Sequence, residues 1–313
     1  MLAVVLAHAN LPYTRGGGEL GVTGFFVLSG FLITHLLVRE YESTGAIDFP
    51  GFYTRRALRL LPALLLLIAT ALVAYAIRGR AALILSAAGP ALMYSSNWLL
   101  AFHGNLEPFQ QTWSLSIEEQ FYLVWPVTLL ATLRGLPSRR SRWFASLALF
   151  GALVAWRAIL WTACHDPLRI YFGSDTNAVS LVFGAVIALA PTLPSPPLTR
   201  ILVPAGLLLF GFGVMASELL HTTVLQDQVL IPTLALLGSL ALILGALHGS
   251  AVLELAPLRY LGRISYGDHQ RVSMYAPWLG LLCAIVSYHL VEQRAVAFAA
   301  RTRQALGEPK APR

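Results

Sequence analysis

The chain is short of charge. Only 12% of its 313 residues are Asp, Glu, Lys or Arg, about half of what a soluble domain carries, and that excludes a water-exposed globular surface. Lysine is nearly absent, with Lys310 alone against 21 arginines. Two cysteines, Cys164 and Cys283, are too few for a disulfide framework. The eight histidines show no zinc spacing, so no metal site is expected. No basic face with interleaved aromatics exists, so nucleic acid is not an expected partner. Met1–Ala9 is apolar but lacks the basic leader region and small-residue cleavage site of a signal peptide. Without an internal repeat between halves, a transporter is also disfavoured.

What is present is apolar sequence of membrane-spanning length, recurring from end to end: 57% of residues are hydrophobic. The runs are continuous rather than alternating, which fits helices and not an outer-membrane barrel. The predicted helices are Val22–Val38, Leu60–Ile77, Leu115–Leu133, Trp143–Ala163, Thr176–Ala190, Ile201–Ser217, Val229–His248 and Val272–Val291. Met1–Ala9 reads as half of another, since nine residues span only about 14 Å. Ala81–Phe102 is interrupted by Gly89-Pro90 and Ser95-Ser96-Asn97 and reads as re-entrant. The expected fold is therefore all-α, a polytopic transmembrane bundle of about nine spanning helices plus one re-entrant segment. Residues 1–292 form one transmembrane domain, and residues 293–313 a basic tail expected to be disordered.

Arginines mark the loops. Arg39–Arg59 and Arg134–Arg142 each hold four, and Leu258–Arg271 holds three, whereas Glu218–Gln228 is acidic. Positive-inside topology puts the basic loops in the cytoplasm and the acidic one outside, provided that Ala81–Phe102 does not fully cross. The same parity leaves the basic tail outside, so one helix is missing near the end or the tail ignores the rule.

Ionisable groups inside membrane helices are costly and are functional candidates by default. His8 lies in the apolar half-helix; a neutral imidazole can serve as general base, or be a histidine at the interface. Glu118 and Glu119 are neighbours on a helix and point about 100° apart, so they form no close dyad. One is expected to face a cavity, the other a helix end or a partner. The aromatics beside them, Trp113 among them, could stack on a sugar or form an interfacial belt. Arg55 and Arg59 share a helix face, with Arg56 between them; such guanidinium forks clamp phosphates or anchor a positive-inside loop. Ser29 could be a nucleophile, but sequence places no base beside it, and Gly21, Gly24 and Gly30 around it read as helix packing. Cys164-His165-Asp166 is read as a loop, because catalytic groups meet in space and not in consecutive order.

Taken in order, Ala7-His8-Ala9, Gly21–Thr34 (GVTGFFVLSGFLIT), Phe52–Pro62 (FYTRRALRLLP), Ser96-Asn97-Trp98 and Trp113–Pro126 (WSLSIEEQFYLVWP) resemble the acyltransferase family 3 membrane proteins. Tyr171–Thr176, Leu261–Gly267 and Ser287–Glu292 are weaker echoes. The family's bacterial members O-acylate surface carbohydrates, peptidoglycan and some macrolides. The resemblance implies a multi-pass protein of the bacterial inner membrane that moves an acyl group, most often acetyl, from acyl-coenzyme A to a hydroxyl of a glycan or glycolipid. It implies that His8 is central to transfer, that Glu118 is the motif carboxylate and Glu119 the variable neighbour, and that Arg55, Arg56 and Arg59 face the donor. Asn97, Trp113 and Ser114 are the implied substrate-binding residues. No permanently bound cofactor is expected; the partners are the acyl-coenzyme A donor, the carbohydrate acceptor and the lipid bilayer.

The chain departs from the family at three places. The family pairs its histidine with an Arg about eleven residues earlier, and this sequence starts at Met1. Asn177 stands where Arg is common. After Gly267 the chain continues as Asp268–Tyr275 (DHQRVSMY) instead of the family's next helix. The expectation is a truncated first helix and one lost late helix. The alternative function is thus a degenerate, inactive membrane homologue.

Overall fold

The computed structural model describes residues 17–192, 196–219 and 229–247. Within them lie ten helices: α1 Gly17–Thr44, α2 Phe49–Ala76, α3 Ala81–Leu92, α4 Ser96–Ala101, α5 Thr112–Gly135, α6 Arg139–Cys164, α7 Pro167–Phe172, α8 Ser174–Leu189, α9 Pro196–Leu219 and α10 Ile231–Leu247. No strand occurs among the described residues. His8, the Met1–Ala9 half-helix, Glu218–Gln228 for the most part, Leu258–Arg271, Val272–Val291 and the basic tail fall outside the described residues.

The ends of the long helices are set by local chemistry. Asp48 starts α2 by accepting from the Gly51 N–H at 2.9 Å, with Pro50 in the first turn, where a missing N–H leaves no bond unmade. Ser138 starts α6 in the same way, through the Ser141 N–H at 3.0 Å. Between α5 and α6 only Leu136–Ser138 remain, and Arg142 closes the junction by donating to the Leu136 and Leu133 carbonyls at 2.8 and 3.0 Å. The helices thus run well into the arginine-rich segments that the sequence reads as loops.

α1, α2 and α6 are long and apolar enough to cross a membrane, and the protein is a membrane protein. α5, 24 residues long, reaches about 36 Å but carries polar groups through its middle. α1 is the centre of the bundle. α8 crosses it so closely that a Cβ on Gly30 would lie 1.9 Å from the Leu181 carbonyl, and one on Gly184 2.0 Å from that of Val27. Only glycine at both positions permits this backbone contact. α5 runs beside α1 in the same direction. Phe26 meets Trp113 edge-on at 6.2 Å, Trp125 Nε1 donates to Thr34 Oγ1 at 2.8 Å, and Leu37 packs with Leu129 and Leu133. α8 follows that direction too, so that Val182, Ala185 and Leu189 join the same cluster. α1 and α5 end where the arginines gather: Arg39 and Arg139 both act electrostatically on His35. α9 and α10 cover the first half of α1 around Leu20.

α3 folds back along the second half of α2, burying Ile84, Ala87 and Ala91 against Leu67, Ile68, Ala71 and Tyr75. Its 12 residues span about 18 Å, too short for a 30 Å hydrocarbon core. The interruption foreseen in Ala81–Phe102 falls at Met93–Ser95, with Tyr94 at φ +49°. Pro90 stays inside α3, and its carbonyl accepts the Ser95 N–H at 2.9 Å.

Candidate active site

Glu118 and Glu119 sit on adjacent faces of α5, and the helical turn sends them to different neighbours. Glu119 faces α2, where its Oε1 accepts from Arg56 Nη2 at 2.9 Å and Nε at 3.3 Å. Both side chains are about five-sixths buried. Arg56 also lies over the Tyr122 ring, 3.4 Å from its centre, and 5.9 Å from that of Phe52. The cation is therefore held between a carboxylate and an aromatic face.

Glu118 turns into the interior beside α1 and is 3% exposed. Ser29 of α1 lies against its carboxyl, and its Oε1 has no hydrogen-bond partner among the described residues. Ser29 in turn shares a hydrogen bond with the Tyr122 hydroxyl. Arg56 and Arg59 both act electrostatically on the Glu118 carboxyl. An ionisable group buried in a membrane bundle with an oxygen unspent is the arrangement that a functional carboxylate needs.

The three arginines separate. Arg56 and Arg59 are partly or largely shielded, whereas Arg55 is exposed. Arg55 lies 3.8 Å from Asp48, with 43% of its side chain open. The shared face of Arg55 and Arg59 is present on the helix, but the residue between them makes the interior ion pair.

Asn97, fully buried, is consumed by structure. Its Nδ2 donates to the Phe172 carbonyl at 3.0 Å and Ser174 Oγ at 2.8 Å, and its Oδ1 accepts from Gln120 Nε2 at 2.9 Å. Gln120 Nε2 also donates to the Tyr94 carbonyl at 2.6 Å, and Gln120 Oε1 accepts from Trp98 Nε1 at 3.1 Å. These bonds pin the interrupted α3–α4 segment to α5 and to the α7–α8 junction. Trp113 is packed among Phe26, Tyr171 and Phe172, with ring centres 4.9 to 6.2 Å away. Its ring is partly buried against these neighbours. Ser114 is buried on α5.

Asn177 also has a structural place: its Nδ2 donates to the Tyr171 and Gly173 carbonyls at 2.7 and 2.8 Å. Beside it, Arg169 forks onto Asp175 at 2.9 and 2.7 Å, and Asp175 also accepts from Trp156 Nε1 at 2.8 Å. In the Cys164-His165-Asp166 string, His165 ends α6 in a left-handed conformation and Asp166 caps α7; Asp166 also bonds His103 at 2.8 Å. No group of three or more metal-ligating side chains occurs among the described residues.

Sequence reasoning did not find the Ser29–Tyr122 pair, Gln120 or Asp175. The two hydroxyls are 93 positions apart, and no spacing rule links them. Gln120 had a signal in its place beside the paired glutamates.

A polytopic helical membrane protein with a buried carboxylate on its central pair of helices is the class that the fold defines. The family profile described as an acyltransferase domain matches residues 1–267, and the chain belongs to that family. The match stops at Gly267, where the order of motifs also breaks. The chain is 31% identical over 290 residues to the peptidoglycan O-acetyltransferase OatA of Listeria monocytogenes, covering 85% of this chain and 46% of that one. It is 37% identical over 200 residues to the Bacillus subtilis protein named "Putative peptidoglycan O-acetyltransferase YrhL", covering 60% of this chain and 31% of the relative. A Staphylococcus aureus protein named "Putative O-acetyltransferase SACOL0978" is 34% identical over 208 residues, covering 60% and 32%. The chain thus spans less than half the length of these relatives. No solved structure matches it.

Proposed function

We propose that this chain transfers an acyl group, acetyl by kinship with its relatives, from acyl-coenzyme A to a hydroxyl of a cell-wall glycan, working in a bacterial inner membrane. The observation that carries the reading is the Glu118 carboxyl, buried between α1 and α5 with Oε1 unspent. A carboxylate so placed can accept the hydrogen of a substrate hydroxyl and orient it for attack on the acyl carbonyl. His8 is the proposed general base or transient acyl carrier. Arg55 and Arg59, one turn apart, are the proposed holders of the donor's phosphates. Arg56, committed to Glu119 and Tyr122, contributes positive charge where oxyanion character develops during acyl transfer. Asn97 and Trp113 act by fixing the walls of the site, and Ser114 lines α5 beside it.

The test is transfer of radiolabelled acetyl from acetyl-coenzyme A to peptidoglycan in membranes containing this chain, with His8→Ala alongside. The expected result is label in the glycan with the parent chain and background label with His8→Ala, both proteins being inserted equally. An inserted parent chain that labels no glycan contradicts the reading and favours a degenerate homologue. Normal transfer by His8→Ala removes His8 from the mechanism.

A further inference from the structure

Three helices converge on the Glu118 carboxyl through a single line of polar groups. Arg56 of α2 lies against the ring face of Tyr122. The Tyr122 hydroxyl meets Ser29 of α1, and Ser29 meets the Glu118 carboxyl. Tyr122 and Ser29 are 2% and 5% exposed, so both hydroxyls are shielded from bulk solvent.

Proton counting gives the line a direction. An ionised carboxylate only accepts, while a serine or tyrosine hydroxyl has one hydrogen to give. Ser29 can donate to Glu118 only if its contact with Tyr122 is one in which Tyr122 donates. With the Glu118 carboxyl ionised, the order is Tyr122 O–H to Ser29 Oγ, and Ser29 O–H to Glu118. The Tyr122 hydroxyl thereby fixes the rotor of the Ser29 hydroxyl, and Ser29 fixes the carboxyl plane. Arg56 and its Glu119 partner hold the Tyr122 ring from the other side.

We propose that Ser29 and Tyr122 are positioning residues: a two-hydroxyl relay that holds one side of the Glu118 carboxyl and turns Oε1 toward the acceptor hydroxyl. This rests on the acyl-transfer reading for its consequence, though the relay itself is a property of the resting protein. Neither residue touches the reacting atoms. Removing either hydroxyl leaves the carboxyl in place but lets it rotate, so the effect falls on turnover and not on donor binding.

The experiment uses Ser29→Ala, Ser29→Thr, Tyr122→Phe and the Ser29→Ala/Tyr122→Phe double variant in membranes, with two readouts. The first is the infrared band of the Glu118 carboxyl, identified by difference against Glu118→Gln. Ser29→Ala is expected to shift it, Tyr122→Phe to shift it in the same sense from one residue further away, and Ser29→Thr to restore it. The second is acetyl transfer. Each hydroxyl deletion is expected to lower kcat about tenfold to a hundredfold, as for a lost bond to a charged group, with the KM for acetyl-coenzyme A unchanged. The double variant is expected to be no worse than the poorer single one, because the relay acts as a unit. An unmoved band in Tyr122→Phe overturns the relay whether or not the chain transfers acetyl. Additive losses in the double variant, or losses in KM alone, also overturn it. A shifted band in a parent chain without transfer upholds the relay and rejects the acyl-transfer reading instead.

Discussion

α1 and α2 are both 28 residues long and both apolar enough to cross a membrane, yet half of the spanning window of α1 is buried by protein and only 6% of that of α2. α6 resembles α2, again with 6%. What separates them is not apolar content. The lipid-facing helices are rich in bulky aliphatics such as Leu65, Leu66 and Val73, all exposed. The inner helix carries Gly30 at a backbone crossing and Ser29 and Thr34 in hydrogen bonds to α5. In a bilayer, apolar side chains gain little by leaving lipid, so small and polar residues decide which helix goes inside. One of the residues that draw α1 inward, Ser29, also lies against the Glu118 carboxyl.

The inner helix is most sensitive at the glycines of its crossing. Gly30→Leu or Gly184→Leu forces a side chain into the backbone of the crossing helix and should destabilise the bundle by about 3 kcal/mol or more. Gly151→Leu on α6, which meets nothing within 4 Å, should stay within about 0.5 kcal/mol of the parent. Thermal unfolding in detergent measures both; equal effects at the two places would dissolve the distinction between inner and outer helices.

Next in size is the ion pair that ties α2 to α5. Arg56→Gln strands the largely buried Glu119 carboxylate and should cost about 3 kcal/mol. Arg56→Gln combined with Glu119→Gln should recover part of that loss, because no charge is then stranded. A double variant as unstable as the sum of the singles would show that the pair is not a unit.

The smallest effect lies at the end of the bundle away from the arginine-rich connections. Burial acts to raise the Asp166 carboxyl, but hydrogen bonds from His103 and from the Arg169 and Leu168 N–H groups outweigh it and hold the group below the usual carboxylate range. A carboxyl lowered in the folded state stabilises above its unfolded value, near about 3.9, and loses that contribution as pH falls through the folded one. Melting temperature should therefore fall in acid slightly more steeply for the parent than for Asp166→Asn. Parallel curves would contradict the assignment.

How much of this was legible depends on which physical signal each feature leaves. Apolar runs located the spans, most closely where Thr176–Ala190 appears as α8, Ser174–Leu189. They missed the polar turns at the ends, because Phe49–Arg59 reads as loop by charge, although the Asp48 cap starts a helix there. The separation of Glu118 from Glu119 follows from helical geometry, and the sequence implied it. Which arginine turns inward did not follow, because Arg56 is selected by where α5 lies and not by spacing within α2. Asn97 and Trp113 were legible only through the family motifs, because their bonds and packing depend on chain returning from Tyr171–Ser174.

The most direct measurement is the acetyl-transfer rate of Glu118→Gln against Glu119→Gln, each checked for insertion and thermal stability. Glu118→Gln is expected to lower kcat at least a hundredfold while the protein remains folded, since the amide keeps the shape but loses the carboxylate. Glu119→Gln should act mainly on stability. Glu118→Gln working at the parental rate would contradict the claim that the buried carboxyl of α5 is the centre of the site.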